Sequence, residues 1–359
     1  MSSGALGIGT VLDGRFRIDE VSDWGPPMVT CTGLRLSDRL PVTLKVLNPV
    51  LATNREHHGR FLREAALLRR IHHPAVPELL EVMDGPSEHF IAIELCAGGE
   101  TLEQRIARTG GLPPDEVLQH VRALLDFLHF LDAQQVIHRD LAPKNLVYTF
   151  DGKREYLRVF GLGSAREADS DSEKLTSFGT TLGTPEYQSP EQINSGVVDA
   201  RADLYQLGCV AYAMLTGRPP FLAERPHELM AMHLRQEPTP PSRLRPGLEL
   251  PPGLEPWILC CLRKTPGERF ANARKAIDAL ESALRTGEVP HWTLSERPPV
   301  AALGAPPAGR GRQAAAPQPG APGAARRRAA APASRGPLLW LGLAAVGALV
   351  AGAVLLLSR

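Results

Sequence analysis

The sequence predicts an α+β fold of two lobes, followed by a linker and one membrane-spanning helix. Short apolar or alternating runs, typical of strands, fill the first third of the chain. The second half is rich in helical patterns, and a glycine-containing run at residues 95–99 separates the two regions. We therefore expect a small β-rich lobe over residues 12–95 and a larger α-rich lobe over residues 96–285.

Local patterns define the elements of the first lobe. Three short runs bounded by turn residues predict strands: FRIDEV at 16–21, VTLKVL at 42–47 and HFIAIEL at 89–95. Between the last two lies REHHGRFLREAALLRRI, residues 55–71, which predicts a helix. The first lobe is thus expected to be a sheet accompanied by one helix.

The clearest helix of the second lobe is PPDEVLQHVRALLDFLHFLDAQQ, residues 113–135. It opens with prolines and an acidic first turn, as helix N-termini often do. Apolar residues recur on one face, at positions 117, 118, 121, 124, 125, 128 and 131. This periodicity predicts an amphipathic helix packed against the core of the larger lobe.

Composition excludes several classes of protein. The chain has 359 residues and a net charge of +1, so nothing in the total charge indicates a nucleic-acid-binding protein. Five cysteines without metal or redox spacing, and an N-terminus without a signal peptide, fit a reducing cytoplasm. The apolar content of 43% is sufficient for a substantial core.

The C-terminal part differs in composition from the rest. Residues 286–336 are mostly alanine, proline, glycine and arginine, which predicts a disordered linker. Residues 337–357 carry no charge, and about 20 residues of helix cross the hydrocarbon core of a bilayer. We favour a transmembrane helix there over a buried helix, because the stretch is apolar on every side.

The arginines near this segment predict its orientation. Arginines at 326, 327, 328 and 335 precede it and only Arg359 follows, so the preceding residues are expected to stay in the cytoplasm. The protein is then a single-pass membrane protein with a cytoplasmic domain. The linker arginines either contact anionic lipid or belong to a solvated spacer, and the sequence leaves both interpretations open.

The segment VIHRDLAPKN, residues 136–145, resembles the catalytic loop of the eukaryotic-like protein kinases. The resemblance is to the membrane-anchored bacterial serine/threonine kinases in particular and spans about residues 12–285. Its motifs occur in the order and at the spacing of that family. It implies a two-lobed protein-kinase fold and a signalling function.

The resemblance assigns nucleotide-binding residues in the first lobe. PVTLKVL makes Lys45 the lysine of the α- and β-phosphates, and Glu64, nineteen residues later, its partner on a helix. Backbone groups of Glu94 and Cys96 match the hinge that meets adenine. Two further positions lie in the implied ATP site: Val29 follows the glycine-rich loop, and Thr43 replaces the small alanine beside adenine.

The resemblance also assigns the catalytic loop. Asp140 matches the base that accepts the proton of the substrate hydroxyl, and Asn145 matches a metal ligand. The usual lysine two residues after the aspartate is Ala142 here. Lys144 is then the residue expected to bring an ammonium group to the transferring phosphate.

Other matching positions indicate the scaffold of the larger lobe. Thr184 lies in the segment that docks substrate, and Glu191 ends the activation segment. Asp203 matches the anchor of the central helix, and Arg269 the usual partner of Glu191. These residues imply the fold and do not bear on turnover.

Two departures from the family bear on activity. The three glycine positions of the phosphate loop, counted back from Val29, hold Ser22, Trp24 and Pro27. Proline has no N–H to give to a phosphate oxygen. The aspartate that holds magnesium is replaced by Val159, which has no oxygen, so Asn145 alone would have to bind Mg²⁺ or Mn²⁺.

These departures favour a pseudokinase, which binds ATP weakly and acts by binding a partner such as an active kinase. The alternative is an active, atypical serine/threonine kinase that transfers the γ-phosphate of ATP to a protein substrate. A third hypothesis is a structural anchor with an empty cleft.

Two pairs of adjacent histidines, His57-His58 and His72-His73, raise the question of a metal site. The second pair belongs to a segment that resembles the family's His-Pro turn, and the first pair begins a predicted helix. We therefore favour structural roles for all four.

Overall fold

The computed structural model describes residues 6–23, 27–86, 88–96, 99–150, 152–167, 184–194 and 196–290. The predicted membrane-spanning segment, residues 337–357, and the linker beyond residue 290 lie outside these ranges. None of the helices within them combines the length and the apolar character needed to cross a membrane.

The first lobe is a six-stranded antiparallel sheet with one helix. Its strands run in the spatial order β1-β2-β3-β4-β6-β5. The bounds are β1 Val11–Leu12, β2 Phe16–Asp23, β3 Met28–Arg35, β4 Leu40–Leu47, β5 Leu79–Asp84 and β6 His89–Glu94. The three predicted strands correspond to β2, β4 and β6. Sequence reasoning missed β1, β3 and β5, although the residues of β3 alternate between buried and partly exposed.

The helix of this lobe is α1, Arg55–Arg70. It begins where the side chain of Asn54 accepts hydrogen bonds from the backbone N–H groups of Glu56 and His57, at 2.9 and 3.3 Å. Such a cap satisfies donors that the first turn of a helix leaves unpaired. The buried face of α1 is apolar except for one glutamate, Glu64. A charge in that position requires a partner, which β4 supplies.

The second lobe is helical. Its helices are α2 Leu102–Thr109, α3 Pro114–Ala133, α4 Pro190–Ile193, α5 Arg201–Thr216, α6 Pro226–Arg235, α7 Pro241–Leu244, α8 Leu254–Cys261 and α9 Ala273–Thr286. The central helix is α5, which is buried along nearly its whole length and packs against α3 and α8. The periodic segment 113–135 corresponds to α3, and its predicted apolar face contacts α9 and α5.

Short strands position the loops between the lobes. β8 Leu146–Phe150 and β9 Glu155–Val159 form a hairpin, and β7 Val136–Ile137 pairs with β10 Arg166–Glu167. Residues 138–145 therefore lie between two anchored strands. Val159, at the end of β9, is opposite Leu146 in the hairpin, so it stands next to the end of this loop.

Candidate active site

The lysine and the glutamate that the sequence predicts as partners lie in contact. Lys45 projects from β4 and its Nζ donates to the Oε1 of Glu64 on α1. Their side chains are only 9% and 8% exposed. Because a buried charge without a partner is costly, this pair fixes α1 against the sheet. The Nζ of Lys45 also lies 5.8 Å from the ring centroid of Phe160.

The loop after β7, residues 138–145, is held by hydrogen bonds to α5. The carboxylate of Asp203 accepts hydrogen bonds from the backbone N–H groups of His138 and Arg139, at 2.7 and 2.8 Å. Burial raises the pKa of Asp203 to about 7, against the opposing effect of these two donors. The contact supports Arg139 in a left-handed conformation, with φ of 68°.

Gln206, one turn further along α5, was not singled out by the sequence analysis. Its Oε1 accepts from the N–H of Leu141 at 2.8 Å, and its Nε2 donates to the carbonyl of Arg139 at 2.9 Å. A glutamine within the apolar run LYQLGCVAYAML was the available signal, because buried amides need partners. Together with Asp203, it fixes the backbone on both sides of Asp140.

The carboxylate of Asp140 is oriented by two neighbours. Its Oδ1 accepts from both the backbone N–H and the hydroxyl of Thr184, each at 3.0 Å. Its Oδ2 accepts from the Nδ2 of Asn145 at 3.0 Å. A carboxylate oxygen offers two lone pairs, so Oδ1 is saturated and Oδ2 retains one acceptor position. That position is the one a substrate hydroxyl can use.

Asn145 has one oxygen left for a cation. Its Nδ2 donates to the carbonyl and to the side chain of Asp140, and no donor among the described residues forms a hydrogen bond to its Oδ1. Proteins usually hold Mg²⁺ by one or two carboxylates together with substrate phosphates. Val159, at the other expected ligand position, is 1% exposed and contributes only hydrocarbon. The donor set therefore does not fit the usual magnesium site of this fold.

The residues after Val159 pack in an ordered arrangement. The backbone of Phe160 accepts from the Nε2 of His138 at 3.1 Å. Burial lowers the pKa of His138. Because a carbonyl oxygen can only accept, Nε2 carries a proton in this contact, and Nδ1 accepts from the backbone N–H of Asp140 at 3.3 Å. Gly161 has a φ of 86°, and a Cβ there would meet Asn145 at 3.0 Å. Glycine is required at this position for both reasons.

The remaining predicted features of the cleft are Lys144 and the loop that departs from the glycine pattern. Lys144 lies on the short 3₁₀ turn Pro143–Asn145 and is exposed, between Asp140 and Asn145 in the chain. The loop that departs from the glycine pattern includes Trp24 and Pro26, and residues 24–26 lie outside the described ranges.

The hinge shows an arrangement that the sequence could not reveal. The backbone N–H of Cys96 donates to the hydroxyl of Thr43 at 3.4 Å, in a buried position. The Sγ of Cys96 lies 3.9 Å from the carbonyl of Glu94. Both backbone groups that the resemblance assigns to adenine thus have partners within the chain. Val29, on β3, is buried on the same sheet.

Removing the hydroxyl of Thr43 is expected to tighten adenine-nucleotide binding. Thr43→Val keeps the side-chain volume but frees the Cys96 N–H, and a hydrogen bond contributes about 0.5–1.5 kcal/mol net. We expect a fall in the dissociation constant of about 2- to 10-fold, measured by calorimetric titration with ATP in the absence of divalent metal. Thr43→Ser, which keeps the hydroxyl, is the matched control. Equal or weaker binding by Thr43→Val than by Thr43→Ser would contradict this role.

Comparison with known proteins bears on the whole domain. The protein kinase domain family matches residues 29–280. The chain is 32% identical over 311 residues to the serine/threonine-protein kinase pkn2 of Myxococcus xanthus, covering 86% of this chain and 35% of the relative. It is 34% identical over 272 residues to pkn3 of the same organism, covering 74% and 49%. PknB of Mycolicibacterium smegmatis is 30% identical over 306 residues, covering 83% and 48%.

The chain thus spans about a third to a half of the length of these relatives. The matched region covers the first lobe from β3 onward and the second lobe as far as α9, and it includes the Lys45–Glu64 pair and the loop that holds Asp140. The observed β-rich and helical lobes are those of the kinase fold, which confirms the predicted fold of this region. The chain therefore belongs to the protein kinase family, among its bacterial serine/threonine kinases of Hanks type.

Proposed function

We propose that this protein is a slow serine/threonine protein kinase, which transfers the γ-phosphate of ATP to a hydroxyl of a protein substrate. The observation that carries the proposal is the fixed carboxylate of Asp140, with one acceptor position left on Oδ2. The contact between Lys45 and Glu64 supports it, because this pair must be in place for transfer. The relatives described above, each named a serine/threonine-protein kinase, also favour activity over a pure binding function.

The residues of the cleft divide the work of the reaction. Lys45 binds the α- and β-phosphates, and Glu64 holds its ammonium group in position. Asp140 accepts the proton of the substrate hydroxyl at Oδ2. The hydroxyl oxygen of the substrate bonds to the γ-phosphorus of ATP while the bond from this phosphorus to the bridging oxygen breaks, and ADP leaves. Lys144, exposed on the same loop, is the residue assigned to neutralise part of the charge of the transferred phosphoryl group.

The missing metal ligand sets the expected rate. Kinases typically turn over at about 1–100 s⁻¹. Loss of one charge-stabilising group at a transition state costs about 10²- to 10³-fold in rate. From the slower end of that range, about 1 s⁻¹, a loss of this size predicts a rate of about 10⁻² s⁻¹ or below for this protein.

A second candidate is a pseudokinase that acts by binding a partner protein. The hydrocarbon side chain of Val159 at the expected metal position favours it. Pro27, which lies at a phosphate-binding position of the loop and lacks an N–H, also favours it. Weak ATP binding without phosphate transfer is the expected behaviour of such a protein.

Phosphate transfer from γ-labelled ATP distinguishes the two candidates. The full chain is incubated with Mg²⁺ or Mn²⁺, with and without a generic protein substrate, beside Asp140→Asn as the background. Removing a general base typically costs about 10²- to 10⁴-fold, so a kinase is expected to lose nearly all incorporation in this variant. Incorporation equal to that of Asp140→Asn, together with ATP binding, would identify the pseudokinase, and absence of ATP binding would identify an anchor with an empty cleft.

We also propose that residues 337–357 anchor the protein in a membrane, with the kinase domain on the cytoplasmic side. The uncharged length of this segment and the arginines that precede it support the proposal. Cell fractionation tests it: the full chain is expected in the carbonate-resistant membrane fraction. A chain ending at residue 336 should leave that fraction, and equal membrane retention of both would contradict the anchor.

A further inference from the structure

A cluster of two histidines and one aspartate lies on the first lobe, away from the ATP cleft. His58 projects from the first turns of α1, Asp84 is the last residue of β5, and His89 is the first residue of β6. The Nε2 of His58 and the Nδ1 of His89 lie 2.8 and 2.6 Å from the Oδ1 of Asp84. Within the described ranges, this is the one group of at least three histidine, cysteine or acidic side chains with ligand atoms within 4.8 Å of one another.

The sheet and the helix bring these residues together. Asp84 and His89 are direct partners across the β5–β6 pair, so their side chains leave the sheet on the same face. His58 approaches them from α1, although it lies 26 residues before Asp84 in sequence. Of the four histidines in the two adjacent pairs, only His58 belongs to the cluster.

The two imidazole rings are held by an aromatic neighbour. The ring of Phe61 stacks on His58, with centroids 6.1 Å apart and an interplanar angle of 10°. The same ring meets His89 edge-on, also at 6.1 Å. Supports of this kind fix the orientation of ligand side chains before an ion arrives. Phe61 is itself buried, at 1% exposure.

We propose that His58, Asp84 and His89 form a binding site for Zn²⁺, or for a similar divalent ion that prefers imidazole ligands. Two histidines and one carboxylate, with water in the fourth position, are a common tetrahedral ligand set for zinc. With ligand bonds of about 2.0–2.2 Å, tetrahedral geometry requires ligand atoms about 3.3 Å apart. The nitrogen–oxygen distances of 2.8 and 2.6 Å therefore need to open by about 0.5 and 0.7 Å.

An ion can reach these side chains from solvent. The side chains of His58 and Asp84 are 31% and 36% exposed, and that of His89 is 15% exposed. Binding replaces the hydrogen bonds between the two rings and Asp84 with bonds to the metal, and each neutral imidazole then carries its one proton on the ring nitrogen that does not bind the ion. The site thus exchanges a polar contact for a stronger one with the same three side chains.

Occupancy would tie α1 to the β5–β6 strands. Glu64 lies six residues after His58 on the same helix, about 9 Å along its axis. Lys45 lies on β4, opposite Ile91 of β6. The ion would therefore connect the element that carries Glu64 with the strand next to Lys45. The binding site itself does not depend on whether the protein transfers phosphate.

Zinc titration of the full, chelator-treated chain tests the proposal. The chain is expected to compete with a chromogenic chelator for one equivalent of Zn²⁺. The affinity of the chain for Zn²⁺ should fall at least tenfold in His89→Gln and in Asp84→Asn. His72→Gln, which changes an exposed histidine outside the cluster, is the matched control and should retain the affinity. Zn²⁺ should also raise the thermal midpoint of the unaltered chain and of His72→Gln, but not that of His89→Gln.

Two results would overturn the site. One is the absence of a zinc equivalent in the unaltered chain, and the other is undiminished affinity in both His89→Gln and Asp84→Asn. Circular dichroism establishes whether each variant is folded. If His89→Gln does not fold, Asp84→Asn, which keeps the size of the side chain, tests the site in its place. Co²⁺ provides a second readout, because tetrahedral binding gives strong visible absorption that should be lost in the same variants.

Discussion

Val159→Asp is expected to raise the rate of phosphate transfer by about 10²- to 10³-fold in the presence of Mg²⁺. The substitution places a carboxylate at the end of β9, opposite Leu146 and beside Asn145. Mg²⁺ is a hard cation that binds oxygen, and the present site offers it the Oδ1 of Asn145. The rate is measured with γ-labelled ATP on the full chain, and ATP binding should become dependent on metal.

The matched control is Val159→Asn, which has the same shape as the aspartate variant but carries no charge. Because Val159 is 1% exposed, both variants bury a polar group and are expected to lose stability, the charged Val159→Asp more than Val159→Asn. The amide should provide less than a tenth of the gain in rate. Equal rates for the two folded variants would contradict the assignment of Val159 to the metal position.

Breaking the buried ion pair of the second lobe is expected to have the largest effect on stability. Arg269 donates to both carboxylate oxygens of Glu191, at 2.7 and 2.8 Å, and its side chain is 0% exposed. Glu191→Gln leaves the guanidinium buried without its counter-charge. We expect the free energy of unfolding to fall by about 3–5 kcal/mol, measured by urea denaturation.

The exposed pair of Arg122 and Glu281 is the control for this measurement. Its side chains are 47% and 43% exposed, although the geometry is comparable, at 2.8 and 3.2 Å. Glu281→Gln is expected to cost about 1 kcal/mol or less, because exposed pairs are solvated in both states. A loss in Glu191→Gln no greater than that in Glu281→Gln would show that the buried pair contributes little.

Arg269 is also held in place by backbone carbonyl groups. Its guanidinium also donates to the carbonyl of Arg263 at 2.7 Å and to that of Arg201 at 2.9 Å. These contacts hold the arginine in place when its partner is changed, so Glu191→Gln cannot relax by releasing it to solvent. The double variant Glu191→Gln with Arg269→Met removes the unpaired charge, and it should be less destabilised than the sum of the single variants.

Much of this protein follows from the sequence alone. The period of apolar residues predicted α3, because a helix that packs on a core must repeat its buried face every three or four residues. The ordered motifs around Lys45, Asp140 and Arg269 indicated the kinase family, which the domain comparison confirms. The assignment of Val159 to the position of the family's metal-binding acid also came from the sequence, through the resemblance. The domain boundaries and the roles of the site residues remain predictions.

Several other contacts between distant residues are visible only in the tertiary structure. Asp140 is saturated at one oxygen by Thr184, which is 44 residues away in sequence. The hydroxyl of Thr43 accepts a hydrogen bond from the N–H of Cys96, which is 53 residues away in sequence. Such contacts depend on how strands and helices pack, and no local period encodes them.

The cluster of His58, Asp84 and His89 illustrates the same limit. Adjacent histidines in the sequence drew attention to His57 and His72, which the fold does not place in this cluster. Neighbours along a helix point in directions about 100° apart, so adjacency in sequence does not bring two side chains to one point. The pairing of β5 with β6 and the packing of α1 beside them determined which three residues share a site.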